Sequence, residues 1–308
     1  MVASAPAPLA VPVMSPVQPV AGDWSVLPSW LPVPGMGVLA ANSFLLRGRQ
    51  PMLVDTGLLA VSDAYIAALT EAIDPADLRW IWISHLDADH VGNLDRVTAL
   101  APNATVLTSF LGAGKMQVAG MDASRVQTIE PGTRIDLGDR ELVPLRPPYY
   151  DAPETLGFFD LHDRVLFAAD AFGAVLPDAA ERYADIPRHA LAEGLRNWSS
   201  LDAPWLSQID PRRFAASLAA VGCLTPLATL TGHLPPVTGD LGPLLEDVHD
   251  AWCRPAAADP ALMPFSLESA LAAVAAGSSR ARGDARLHDI AAPGPSVQAT
   301  ATPASLAR

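Results

Sequence analysis

The chain is poor in positive charge: 20 Lys and Arg stand against 33 Asp and Glu, for a formal net charge of −13. Such a surface repels nucleic-acid phosphates and anionic lipid headgroups, so neither nucleic acid nor a membrane is expected as a partner. Long apolar runs are missing too, and none approaches the ~18 residues that cross a bilayer. Aromatic residues make up only 6% of a chain that is 50% hydrophobic, which suits a globular core. Cysteine is nearly absent. Cys223 and Cys253 sit in no metal-like spacing and read as two free thiols in a reducing compartment, hence a cytoplasmic protein. Residues 1–21, rich in Ala, Pro and Val, lack the basic stretch of a secretory signal and read as a flexible leader.

What the chain does have is concentrated in Ser84-His85-Leu86-Asp87-Ala88-Asp89-His90-Val91-Gly92-Asn93. An apolar, aromatic and β-branched run over residues 79–83 precedes it as a buried strand should, and residues 94–100 read as a helix after it. Two imidazoles and two carboxylates therefore share a strand-to-helix loop. Four donors of the kinds that bind divalent metals are too many for a polar loop that only caps a helix.

Around this loop the pattern alternates between strands and helices. Residues 24–34, with two Trp and three Pro, read as an extended segment covering a sheet edge. Residues 38–47 and 52–54 read as a strand pair ending in the turn Asp55-Thr56-Gly57. Val61, Tyr65, Leu69 and Ile73 recur every four residues as one helix face, stopped by Asp74-Pro75. A short strand over 104–108 and a helix over 109–119 follow, then closely spaced strands from 125 to 170. Helices are expected over 186–206 and 211–220, and a last strand over 227–230 leads into Thr231-Gly232-His233. Strands with interspersed helices, twice over, predict two sheets packed face to face with helices outside. Beyond this domain, residues 22–240, a helical extension is expected over 241–276 and a disordered tail over 277–308.

The order Asp55-Thr56-Gly57, His85-x-Asp87-x-Asp89-His90, Asp170 after a strand and Gly232-His233 after another resembles the metallo-β-lactamase superfamily over residues 24–236. That resemblance implies an α/β fold: a four-layer αβ/βα sandwich of two mixed sheets with a dinuclear metal site at one edge. Residues 74–78, 100–105 and 165–173 resemble most closely the diiron domain of flavodiiron proteins and their oxygen-binding relatives. There a carboxylate stands where hydrolases have the second His of HxHxDH; here it is Asp87. The superfamily also has a His within the stretch 146–155, where this chain has none; the comparison puts Asp151 at that position, with Glu154 as the alternative. By resemblance, His85, Asp87 and Asp151 hold the first metal, Asp89, His90 and His233 the second, and Asp170 bridges. Asp55 is expected to orient a ligand such as His85. His162, His189, His249 and His288 match no motif. Gly112-x-Gly114-Lys115 is too short and misplaced for a phosphate loop.

Three imidazoles and four carboxylates make a site whose negative charge cancels that of two divalent cations. Hard oxygen donors favour iron or manganese over zinc. Two metal ions are thus expected, with iron favoured over zinc or manganese, at a non-haem diiron site that binds or reduces O2 or NO. No Gly/Ser/Thr-rich phosphate loop follows His233, so electrons are expected from a separate donor protein. Flavodiiron relatives pair head to tail, which implies a homodimer. The alternative is a metal-dependent hydrolase of an ester, thioester, lactone or phosphoester, with Asp89 as the catalytic carboxylate. A degenerate fold holding one metal or none is the third reading.

Overall fold

A computed structural model of the chain describes residues 11–253. A first sheet is built from β1 (Val13–Met14), β2 (Gln18–Ala21), β3 (Trp24–Val33), β4 (Gly37–Leu46), β5 (Met52–Val54), β6 (Trp80–Trp82), β7 (Thr105–Thr108) and β8 (Val126–Thr128). A second sheet starts with β9 (Ile135–Asp136), β10 (Glu141–Leu145), β11 (Gly157–Asp160) and β12 (Val165–Phe167). The chain then crosses back so that β13 (Val175–Leu176) pairs with β4, before β14 (Ala228–Thr231) and β15 (Leu234–Thr238) complete the second sheet. Both sheets are mixed: β5 to β8 run parallel, as do β12 and β14, while their other pairings are antiparallel. Among the described residues α1 (Ser62–Ala72), α2 (Ala88–Val91), α3 (Leu94–Leu100), α4 (Phe110–Val118), α5 (Arg188–Asp202), α6 (Pro211–Gly222) and α7 (Gly242–Cys253) are the helices.

The layering follows from the period of two along each strand. Met52 and Val54 point into the core between the sheets, with Trp82, Phe158 and Phe167, while Leu53 points the other way onto Leu69, Val97 and Met116 of the helices. On the second sheet Val165 and Phe167 enter the same central core, and Leu166 packs outward against Leu195, Phe214 and Val248. Strands covered on both faces read as continuous apolar runs, which is why these do. The four-layer αβ/βα sandwich is thus as expected.

Three expectations are corrected. Residues 24–34 do not cover an edge; β3 pairs with β4 over ten residues on one side and with β1 and β2 on the other. Its Pro28 faces the break between those two short strands, where its carbonyl accepts from Ser15 N (2.8 Å) and no ladder hydrogen bond is lost. Residues 13–21, placed in the flexible leader, include the two strands that complete this pairing. The strand at 228–231 is not the last, because β15 returns antiparallel to it. The helical extension beyond residue 253 and the tail over 277–308 lie outside the described residues.

Candidate metal centre

The donors sit where strands end. Asp55 follows β5, residues 84–87 and then α2, which carries Asp89 and His90, follow β6, Asp170 follows β12, and His233 occupies the turn between β14 and β15. In open α/β sheets this carboxyl edge is where ligands bind. Three non-glycine residues there, Asp55 (φ 55°), Ala169 (φ 47°) and Phe172 (φ 70°), are held in the left-handed region. Such strain survives only where the surrounding fold over-determines it, and it gathers at functional sites. Gly232 is needed for a different reason: a Cβ there would lie 2.8 Å from Asp170 Oδ1 and 3.0 Å from His90 Cε1.

Asp170 is the hub. Its Oδ2 lies 3.3 Å from His85 Nε2 and 3.2 Å from His233 Nε2, and its Oδ1 lies 3.1 Å from His90 Nε2. Asp89 Oδ2 is 3.5 Å from His90 Nε2 and 3.6 Å from His233 Nε2. Ligands about 2.0–2.2 Å from a shared metal lie roughly 3.0–3.6 Å apart, so this is the spacing of a coordination shell. The donor atoms form overlapping groups: His85, Asp87 and Asp151; Asp89, His90 and His233; His85, His90 and Asp170. All seven residues singled out in the sequence are brought together.

Each imidazole is anchored by its far nitrogen. His90 Nδ1 meets Asp55 Oδ2 at 2.9 Å, His233 Nδ1 donates to the Ala40 carbonyl at 2.6 Å, and His85 Nδ1 meets Ser84 Oγ at 3.0 Å. A proton on each Nδ1 turns the lone pair of Nε2 inward, the arrangement that metal-binding histidines need. His85 Nε2, His90 Nε2 and Asp170 Oδ1 are buried and have no hydrogen-bond partner. Buried polar atoms left this way are costly, and a cation in their midst removes the cost, so the donor set fits a metal.

Two expectations change here. Asp55 orients His90 directly, not His85, which it reaches only through Ser84: the Ser84 hydroxyl and amide donate to the two Asp55 oxygens at 2.7 and 2.8 Å. Glu154, the alternative to Asp151, is fully buried and paired with Lys115 away from the donors. Asp151 Oδ1 instead accepts from Thr155 Oγ1 (3.3 Å) and stands with His85 and Asp87. His162 and His189 are exposed, and neither they nor His249 joins the donor groups; His288 lies outside the described residues. Cys223 is an exposed free thiol.

Asp202, at the end of α5, was missed: its carboxylate stands with those of Asp151 and Asp170. The available signal was register. Leu195 and Ser199 lie on the buried stripe of α5, and Asp202 continues it at helical spacing. One turn earlier, Trp198 packs on His233 with ring centroids 4.4 Å apart.

Charge is strongly coupled across the cluster. Burial disfavours an imidazolium at His90, yet Asp170, Asp89 and Asp55 hold its pKa well above the ordinary histidine value. His233 is likewise raised to about 9, chiefly by Asp170 acting against burial. The three imidazoles in turn hold Asp170 well below the usual carboxylate range, despite its burial. Burial, then the charge of Asp170, push Asp202 up to about 8, and burial raises Asp151. These shifts belong to the metal-free chain, in which protons on the imidazoles balance the carboxylates.

Fold and donor set together define a metallo-β-lactamase-like sandwich with a candidate dinuclear metal centre. The model of the ODP family beta lactamase matches residues 39–196, and the chain belongs to that family. A protein of Nostoc sp. strain PCC 7120 named as a diflavin flavoprotein is 34% identical over 133 residues, 43% of this chain and 23% of that protein. The anaerobic nitric oxide reductase flavorubredoxin of Salmonella typhi is 28% identical over 134 residues, again 43% of this chain and 28% of that one. Among solved structures, rubredoxin oxygen:oxidoreductase from Desulfovibrio gigas superposes with a TM-score of 0.68 at 20% identity, over 78% of this chain and 62% of that one. The matched stretch thus spans about a quarter of the curated relatives. Among the described residues no helix is long and apolar enough to cross a membrane.

Proposed function

We propose that the chain is a non-haem diiron protein that binds or reduces O2 or NO, drawing electrons from a separate donor protein. The carrying observation is the ring of inward-facing, hydrogen-bond-orphaned atoms, His85 Nε2, His90 Nε2 and Asp170 Oδ1, backed by Nδ1 anchors on every histidine. His85, Asp87 and Asp151 are the ligands of one position, Asp89, His90 and His233 those of the other, and Asp170 serves both. An iron pair held by these residues would supply the redox chemistry toward a diatomic ligand. Four carboxylates against three imidazoles support iron or manganese over zinc.

The residues of the chain do the rest. Asp55, Ser84 and the Ala40 carbonyl keep the imidazoles in one tautomer and one orientation. Full burial of His85 and near-full burial of His90 and His233 keep bulk water off the inner side, while the partly exposed Asp89 and exposed Asp87 leave the outer side open. The names of two relatives, a nitric oxide reductase and an oxygen oxidoreductase, support the same class of substrate. Metal analysis of protein expressed with iron, followed by optical spectra with and without O2, tests the reading. Two irons per chain and an O2-dependent change are expected. Zinc alone, with metal-dependent ester or phosphodiester turnover, would establish the hydrolase instead.

A further inference from the structure

We infer that Asp202 is an additional carboxylate ligand of the position built from His85, Asp87 and Asp151, making that position oxygen-rich and the more selective of the two for iron or manganese. The inference rests on the metal-centre reading above and extends it to a residue outside the motifs.

The carboxylate oxygens of Asp151, Asp170 and Asp202 lie within 4.8 Å of one another. Among the described residues no Lys or Arg pairs with any of them; the ion pairs of Asp170 run only to histidines. Three carboxylates at that spacing repel one another unless protons or a cation intervene. Beside them stands His85, 0% exposed, its Nε2 without a hydrogen-bond partner, and Asp170, 3% exposed, with Oδ1 equally without one. Asp202 Oδ2 is shielded from solvent and unpartnered as well. A buried carboxylate oxygen with no donor, on a residue grouped with Asp151 and Asp170, is what a missing cation leaves behind.

The placement is not accidental contact by a loose side chain. Asp202 ends α5, a helix docked through Leu191, Leu195 and Ser199. Trp198, on the same face one turn back, packs against His233 with its ring tilted by 54° and donates its Nε1 to the Asp170 carbonyl (3.4 Å). The helix therefore fixes Asp202 beside Asp151 and Asp170. With Asp87, Asp151, Asp170 and Asp202, one imidazole would be outnumbered by four carboxylates at this position. The other has His90 and His233 with Asp89 and Asp170. Hard oxygen donors prefer iron and manganese, and imidazoles accept zinc readily, so the two positions differ in selectivity.

The test compares the full chain with Asp202→Asn, which keeps shape and removes charge, and with Asp202→Glu, which keeps the charge. Metal content is measured after loading with iron(II), manganese(II) and zinc(II), singly and in equimolar mixture, and affinity by chelator competition. Thermal melting of the metal-free proteins is followed alongside. Asp202→Asn is expected to lose one of two metal equivalents or to weaken it at least tenfold, with zinc gaining share in the mixture. Its metal-free form is expected to melt no lower than the parent, since a repulsive carboxylate has gone; Asp202→Glu should retain two metals. Two equivalents in Asp202→Asn, with unchanged affinity and preference, would overturn the inference and leave the metal centre intact. A metal-free Asp202→Asn that melts well below the parent would make Asp202 structural and overturn it too. A parent chain that binds no metal would overturn the underlying reading.

Discussion

The two halves of the donor cluster are assembled by opposite means. His90 and His233 are held from behind, by the Asp55 carboxylate and the Ala40 carbonyl, and their orientation needs nothing from a metal. Asp87 is exposed, Asp151 accepts from Thr155 at a long 3.3 Å, and Asp202 Oδ2 has no partner. One half is preorganised by the fold; the other, apart from the anchored His85, consists of like charges that a cation must bring to order. Preorganisation lowers the cost of binding, so the imidazole half is expected to fill first and the carboxylate half to respond more strongly to the metal offered.

The sharpest way to break this contrast is Asp170→Ala, because that carboxylate touches all three imidazoles. Loss of both metals is expected, read as metal per chain after loading. Asp55→Asn strikes the preorganised half directly, through His90, and the other only through the Ser84 contact to His85. It should weaken one metal by about tenfold to a hundredfold and the other by less, as removal of an orienting partner does, in a chelator titration that resolves two steps.

Acidity probes the same half. Because the His233 pKa is raised from 6.5 to about 9, its imidazolium stabilises the metal-free fold fully below pH 6.5, and that contribution is lost as pH rises through about 9. Metal needs the neutral imidazole, so affinity should climb over that window while metal-free melting temperature falls. A metal affinity that is flat across it would contradict the assignment of His233. The smallest effect is expected from Asp151→His, which lends the carboxylate half a second imidazole. Two metals should still bind, with zinc gaining by about tenfold or less in mixed loading.

Much of this was legible beforehand because it is local. The pattern His85-x-Asp87-x-Asp89-His90 places four donors on one loop, and the runs that became β5, β6 and β12 are apolar on both faces because both faces are covered. Where reading failed, the missing information was non-local. Prolines in residues 24–34 pointed to an edge, and only the break between β1 and β2 shows how a paired strand tolerates Pro28. Asp55 could be assigned to an orienting role from its turn, yet which histidine it reaches depends on how β5 and β6 lie side by side.

The sequence by itself determined the layers and the chemical character of the site. Period-two alternation dictates which side chains face the central core, and residue types dictate a hard, carboxylate-rich donor set. Only the tertiary structure decided the membership of that set: that Glu154 turns away to Lys115, that Asp151 joins His85, and that Asp202 arrives from a helix. The physical reason is that a coordination shell is a few ångströms across, whereas its donors come from strand ends and a helix terminus far apart along the chain. Packing, which sums over the whole molecule, alone determines which of them meet.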